Sequence, residues 1–305
     1  MTETVCERIF AALSDLPELK IERNLQLADY TTFRIGGPAA LAIFPQSCDA
    51  ARAALDLLHN ESVPYAIMGK GSNLLCADAG FDGAVLFTGA MQKISFSGNR
   101  VTADCGVSLT GLAVETQRRG LAGLAFAYGI PGSVGGAVKM NAGAYGGEMS
   151  EVVVCSLFYD AATARFAKIT EEEHHFGYRR SIYAEVPGSI ALSVEMELIP
   201  GDPLAIEAEM RDYMQRRRSK QPLELPSAGS VFKRPEGYSA GKLIEDCGLK
   251  GTQIGGARVS DKHAGFIVNV GGATADDVLR LIDLIRERVL WEFGVTLECE
   301  LCRLG

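Results

Sequence analysis

The sequence has no uninterrupted apolar run approaching the ~18 residues of a membrane-spanning helix, so no membrane partner is expected. Its N-terminus carries Glu3, Glu7 and Arg8, with no basic segment leading into an apolar core, so no secretory signal is read there. Positive charge is in the minority. There are 30 Lys and Arg against 38 Asp and Glu, a net charge of −8. That balance argues against a nucleic-acid partner, which selects for basic surfaces. A disulfide framework is also missing. The eight cysteines, at 6, 48, 76, 105, 155, 247, 299 and 302, are scattered, and in a cytoplasmic chain they are expected to be reduced and packed. Cys299 and Cys302 stand at an odd spacing, so on a strand their thiols leave opposite faces. His59, His174 and His175 read as solvent-exposed and fall into no metal-ligand spacing, so no metal is expected. Repeats and low-complexity tracts are absent.

Two phosphate signatures are missing as well. Gly69-Lys-Gly-Ser-Asn73 does not fit G-x-x-x-x-G-K-[ST], and Gly129-x-x-Gly132-x-x-Gly135 does not fit G-x-G-x-x-G.

What is present is a chain of 305 residues, 47% hydrophobic and 22% charged, which suits a soluble enzyme of two or three compact parts. Glycine is concentrated at 123, 129, 132, 135, 136, 143, 146 and 147, and Lys139 is the only charge from 121 to 147. Each glycine loses much backbone entropy on folding, so this density needs compensation. One reading is a wall of peptide N–H groups against a large flat cofactor with phosphates. The other is a buried glycine-rich turn without a ligand. Gly69–Asn73 follows a strand and offers N–H groups with the Ser72 and Asn73 side chains, as an anion nest or a plain turn.

Periodicity and punctuation predict a helix over 2–16 and, over 29–38, a strand running into a Gly-Gly-Pro turn. Ser47 caps a helix over 48–59, and strands cover 63–68 and 83–87. A hairpin over 93–97 and 101–104 turns at Gly98-Asn99. Ser108 caps a helix that Gly120 stops, strands 152–159 and 165–170 pair, and 189–198 is a further strand. Pro200-Gly-Asp-Pro203 marks the main boundary, giving 1–200, in lobes of about 18–82 and 83–200, and then 201–305. Beyond it come a helix over 204–218, a loop at 227–235 entering a strand, a helix over 239–247 and a strand over 266–270. Thr274 caps a long helix to Phe293 that Gly294 ends, and the last strand covers 295–303. The basic run Arg216–Lys220 reads as a solvated helix end, with anion binding by Arg216 or Lys220 as the alternative.

Specific segments then stand in order: Tyr-Thr-Thr-Phe-Arg-Ile-Gly-Gly-Pro-Ala (30–39), Gly-Lys-Gly-Ser-Asn-Leu-Leu (69–75) and Gly-Ile-Pro-Gly-Ser-Val-Gly-Gly-Ala-Val-Lys-Met-Asn-Ala-Gly-Ala-Tyr-Gly (129–146). Further on are Phe-Gly-Tyr-Arg-Arg-Ser (176–181), Ala-Gly-Ser-Val-Phe-Lys-Arg-Pro (228–235), Gly-Leu-Lys-Gly (248–251), Ile-Gly-Gly-Ala-Arg-Val-Ser-Asp-Lys-His-Ala (254–264) and Leu-Glu-Cys-Glu (297–300). Together they resemble the bacterial UDP-N-acetylenolpyruvoylglucosamine reductase (MurB) family. Arg179 and Ser230 lie about fifty positions apart, which resembles the shorter form, without a tyrosine-loop insertion. Lys139 stands where that family often has an aromatic residue, and nothing in the sequence explains it.

The resemblance implies an α+β fold: a two-lobed FAD-binding domain of the vanillyl-alcohol-oxidase (PCMH) type, then a C-terminal α/β substrate-binding domain. It implies that NADPH reduces FAD, and that the enolpyruvyl ether of UDP-N-acetylglucosamine is reduced to UDP-N-acetylmuramate, in the cytoplasm and by a monomer. Cofactor contacts are implied at Arg34, Gly69, Lys70, Gly71, Ser72, Asn73, Leu74, Gly129, Pro131, Gly132, Ser133, Gly136, Asn141, Gly143 and Tyr145. Tyr178, Lys220 and His263 are implied substrate contacts. Arg179 and Glu300 would stabilise the charge that develops on the substrate carboxylate, and Ser230 would donate the proton. Two other readings stay open on residues alone. One is another flavoenzyme of this fold, such as an oxidase of sugars or alcohols. The other is a nucleotide-sugar binding protein without catalysis.

Overall fold

The structure, a computed structural model, describes residues 3–305. The chain divides into two compact units. One holds the residues up to Asn24, Ala40–Lys70 and Gly83–Arg216; the other holds Leu25–Ala39, Gly71–Asp82 and Arg217–Gly305.

The first unit opens with helix Glu3–Ser14, which buries Ile9 and Leu13; the expected start at residue 2 lies outside the described residues. The Ser47 hydroxyl accepts the Ala50 N–H and starts helix Cys48–Asn60, whose alanines and leucines at 51, 54, 55 and 58 form its buried stripe. A four-stranded sheet runs in the order Leu19–Gln26, Pro38–Pro45, Phe81–Phe87, Tyr65–Met68. Its last two strands are parallel, with Ala66 opposite Val85. Leu41, Ile43, Leu55, Leu58, Ala84 and Leu86 belong to one core there. A second core lies on an antiparallel five-stranded sheet, ordered Arg165–Thr170, Val153–Asp160, Ile190–Glu197, Arg100–Asp104, Ile94–Ser97. Ser108 caps helix Leu109–Arg118 by accepting the Gly111 N–H, and the short helix Val134–Lys139 packs on strands Ile190–Glu197 and Arg100–Asp104.

The second unit has a three-stranded antiparallel sheet, Gln253–Ile254, Ala257–Val259 and Ile267–Asn269. Helix Ala275–Phe293 lies on it, opened by a reciprocal Thr274/Asp277 capping box and closed at Gly294 with φ +67°. Its buried face is Val278, Leu281, Ile282, Ile285 and Val289, as its period predicts.

Several expectations are corrected. Residues 29–38 are not a strand. Leu27–Tyr30 is a 3-10 turn, after which the Thr31 hydroxyl bonds both the carbonyl and the N–H of Ile35, at 3.2 and 3.3 Å. Such local side-chain bonds compete with a ladder. The strand begins only at Pro38, and strand Leu19–Gln26 was not anticipated. The last strand is confined to Cys302–Leu304, parallel to Leu74–Cys76. Residues 227–235 likewise enter no regular strand; they make isolated antiparallel bridges, Ser230 with Phe266 and Phe232 with Cys299. His174 is fully buried, where exposure was expected: its ring stacks on Phe176 at 4.9 Å, and its Nε2 lies 2.7 Å from the Ser156 hydroxyl. The eight cysteines are free thiols.

Candidate active site

The loop after strand Tyr65–Met68 has main-chain donors to offer. The N–H groups of Lys70, Gly71 and Ser72 make no hydrogen bond to protein among the described residues. Gly71 has φ +60°, and its carbonyl accepts the Thr32 N–H. A methyl group at Gly71 would press on the Tyr30 carbonyl and on Thr31 Cα. The Lys70 ammonium donates to the Ser108 hydroxyl at 2.7 Å, at the start of helix Leu109–Arg118. Unused N–H groups in a turn with a left-handed residue favour an anion.

In the glycine-rich stretch, several of the main-chain donors are already used. The Val134 N–H bonds Val107 O, the Gly135 N–H bonds Cys105 O, and the Ala137 N–H bonds Ser133 O. The Gly136 N–H bonds the Ser133 hydroxyl at 3.3 Å. These donors are committed to the protein itself. Close packing accounts for part of the glycine. A Cβ at Gly135 would lie 2.7 Å from Cys105 Cβ, and one at Gly147 would lie 2.6 Å from the Phe126 ring. Gly146 differs: no atom comes within 4 Å of its would-be Cβ, so its surroundings are open. Gly129, Gly132 and Pro131 form the turn alongside Ser108–Thr110, with Gly132 O accepting the Leu109 N–H and the Thr110 hydroxyl accepting the Gly129 N–H at 3.3 Å.

Asn141 is fully buried. Its amide donates to Glu148 Oε1 at 2.9 Å and to Gly177 O at 3.2 Å, and its oxygen accepts the Ser150 N–H at 2.9 Å. Gly177 and Arg180 close a tight turn with two main-chain bonds of 3.1 Å. Arg179 sits in it with φ +54°, a left-handed conformation that costs an ordinary residue about 1–2 kcal/mol. Its Nη2 donates to Gly143 O at 3.2 Å, and its guanidinium lies 5.2 Å from the centre of the exposed Tyr178 ring. Tyr145 stacks on Tyr213 at 4.5 Å.

In the second unit, main-chain bonds place Ser230 and Glu300 in neighbouring strips. The Val231 N–H bonds Gly265 O at 2.9 Å, the Glu300 N–H bonds Val231 O at 2.8 Å, and the Lys233 N–H bonds Glu298 O at 2.9 Å. Asn73 braces the same strip through Nδ2 to Glu300 O at 3.2 Å. The Ser230 hydroxyl donates to Phe232 O at 3.2 Å. A Cβ at Gly265 would lie 3.0 Å from the His263 ring and 3.6 Å from the Ser230 oxygen, so serine and histidine share one corner. Burial holds the His263 imidazole below its ordinary pKa. Its Nδ1 accepts the Gly265 N–H at 3.1 Å, which leaves the proton of the neutral ring on Nε2. Arg34 is exposed with φ +57°, and Leu74 opens the short strand Leu74–Cys76. Of the basic run, Lys220 is exposed while Arg217 is buried, a choice that a run of like residues cannot signal.

The model of the UDP-N-acetylenolpyruvoylglucosamine reductase C-terminal domain matches residues 221–304, and an FAD binding domain model matches residues 39–162. A UDP-N-acetylenolpyruvoylglucosamine reductase of Alkaliphilus oremlandii is 50% identical over 292 residues, covering 95% of both chains. The chain belongs to the UDP-N-acetylenolpyruvoylglucosamine reductase family. A member from Clostridium novyi is 44% identical over 96% of this chain and 94% of its own. The crystal structure of the reductase (MurB) from Thermus caldophilus matches with a TM-score of 0.80 and 37% identity, over 94% of this chain and all of that one.

The chain is therefore an oxidoreductase of peptidoglycan-precursor synthesis that reduces enolpyruvyl UDP-N-acetylglucosamine, on a PCMH-type FAD-binding fold with a C-terminal domain. FAD and NADPH are the cofactors that accompany this membership. The residues fit FAD. The unused N–H groups at 70–72, with the Lys70 ammonium, suit a diphosphate, and the space around Gly146 is open. Among the described residues, no helix is long and apolar enough to cross a membrane.

Proposed function

We propose that this enzyme uses NADPH to make UDP-N-acetylmuramate, with Arg179, Glu300 and Ser230 carrying the chemistry at the substrate. FAD, when bound, supplies to the vinyl CH2 carbon the hydride that NADPH has provided. An unactivated enol ether accepts hydride poorly, so the attached carboxylate must absorb the developing charge as an enediolate. Preorganised electrostatics then decides the rate. Arg179 holds that carboxylate as a planar, permanently charged donor. Glu300 supports the same group with its proton, since a second negative charge there would oppose the reaction. Ser230 delivers its hydroxyl proton to the carbon next to the carboxylate. A weak acid suffices because the acceptor is a strongly basic, carbanion-like carbon.

The observation that supports this reading most is the pair of main-chain bonds that set Glu300 beside Val231 and Val231 beside Gly265, with Ser230 next in the chain. They hold proton donor and acid in adjacent strips without relying on either side chain. We assign cofactor contacts to Arg34, to Gly69–Leu74, and to Gly129, Pro131, Gly132, Ser133, Gly136, Gly143 and Tyr145. Tyr178, Lys220 and His263 are assigned to the substrate. We assign residues 1–200 to the FAD-binding domain, which also lends Tyr178 and Arg179 to the substrate, and 201–305 to the substrate-binding domain, in a monomer working in the cytoplasm.

The test is an anaerobic visible spectrum of the purified protein, taken before NADPH, after NADPH, and after the enolpyruvyl UDP-sugar. The proposal expects flavin bands that bleach with NADPH and return with the sugar. Bands that return only with oxygen would move the activity to an oxidase. An absence of flavin bands after FAD is supplied would remove the cofactor assignment.

A further inference from the structure

The turn that carries Arg179 is gripped at three points by one short segment of the glycine-rich stretch. The Lys139 carbonyl accepts the Ser181 hydroxyl at 2.7 Å. Asn141 Nδ2 donates to the Gly177 carbonyl at 3.2 Å. The Gly143 carbonyl accepts Arg179 Nη2 at 3.2 Å. Residues 139, 141 and 143 thus meet the end, the beginning and the side chain of the turn. We propose that Asn141 and Ser181 are positioning residues that set the Arg179 guanidinium for the substrate carboxylate, an inference that rests on the role given to Arg179 above.

Three observations carry it. Arg179 has φ +54°, and a left-handed arginine persists only where its surroundings over-determine it. Asn141 and Ser181 are both fully buried, and each gives a hydrogen to the carbonyl of a half-buried residue, so losing either leaves that carbonyl without its protein donor. The Asn141 amide cannot turn over, because its oxygen accepts the Ser150 N–H at 2.9 Å while its other hydrogen goes to Glu148 at 2.9 Å. With both amide hydrogens given to protein, the Asn141 side chain serves the arginine turn and has no donor left for a cofactor. The segment also gives the lysine at 139 a reason: the position contributes its carbonyl, which any residue supplies.

The experiment measures, by calorimetry on the holoenzyme, how much more tightly UDP-N-acetylmuramate binds than UDP-N-acetylglucosamine, which lacks the lactyl carboxylate. Arg179→Ala should lower that ratio about 10- to 100-fold, the range for a hydrogen bond to a charged group. Asn141→Ala and Ser181→Ala should each lower it about 3- to 30-fold, and neither should lower it further in the Arg179→Ala background. The flavin spectrum and the NADPH half-reaction should stay within about twofold of the parent, since the turn holds no cofactor contact. Ser181→Ala deletes a single hydroxyl and decides the matter alone where Asn141→Ala does not fold. A parent-like ratio in a folded variant, or full additivity with Arg179→Ala, overturns the proposal, as does loss of FAD from Asn141→Ala. A parent-like ratio in Arg179→Ala itself overturns instead the role given to the arginine.

Discussion

The turn around Arg179 and the strips around Ser230 and Glu300 are built by opposite means. Arg179 is held by side chains: the Asn141 amide, the Ser181 hydroxyl and its own guanidinium reach across to backbone carbonyls, over a left-handed residue. Ser230 and Glu300 are held by backbone: bonds between Val231, Gly265 and Glu300 do not depend on which side chains those residues bear. The lesson is one of vulnerability. A site placed by side-chain struts is undone by mutations away from the chemistry, whereas a site placed by backbone bridges loses only the mutated group.

That contrast can be broken most directly at Ser230. Ser230→Ala should slow reoxidation of the flavin by the enolpyruvyl sugar about 10²- to 10⁴-fold, while bleaching by NADPH and the melting temperature stay near the parent values. Stopped-flow absorbance of the two half-reactions reads this, and equal loss of both would sink the role of Ser230. Arg179→Ala should slow the same half-reaction about 10²- to 10³-fold. Damage confined to NADPH oxidation would place the arginine elsewhere.

A smaller effect sharpens the comparison at the backbone. Arg179→Gly should be as inactive as Arg179→Ala, yet more stable to urea by about 1 kcal/mol, because glycine enters the left-handed region without a Cβ clash. No such gap is expected between Ser230→Gly and Ser230→Ala, where a glycine relieves no left-handed strain and loosens the chain. Equal stability of the two Arg179 variants would show that the turn carries no strain.

The smallest expected effect lies at His174. Burial holds the His174 pKa below its ordinary value, so the folded protein resists a proton that the unfolded chain accepts near pH ~6.5. The unfolded state then binds more protons, and stability present above that pH is lost as pH falls toward and past the folded value. Removing the group removes its share of the loss. His174→Phe, which keeps a flat ring against Phe176, should show a shallower fall in melting temperature from about pH 7 to about pH 5 than the parent. An unchanged slope would mean that His174 does not titrate differently on unfolding.

Much of this was legible in the residues because local rules decide it. Ser47, Ser108 and Thr274 announce helix starts, since a side-chain oxygen capping an N–H needs only its near neighbours. Gly98-Asn99 and Gly120 mark a turn and a stop for the same reason. The stretch at 29–38 misled because alternation there looks extended, while the Thr31 hydroxyl bonds its own loop. The segment at 295–301 misled in the other direction: it is chain held by bonds to 231 and 233, partners some seventy positions away that no local pattern names.

The sequence by itself determined the family, the α+β class and the identities of the candidate groups, because ordered motifs and capping chemistry are written in neighbouring residues. Only the tertiary structure decided what each group does with its bonds. Glycine density read as a surface of free N–H groups, and the structure decides which: the donors of residues 134–137 are tied within the protein, while those of 70–72 are unused. Asn141 read as one more ligand residue, but its amide holds the arginine turn. His174 read as solvated, but it is buried with its ring stacked on Phe176. A side chain's composition says what it can donate or accept; which acceptor comes within about 3 Å depends on segments far apart in the chain being packed together, and that is a property of the fold.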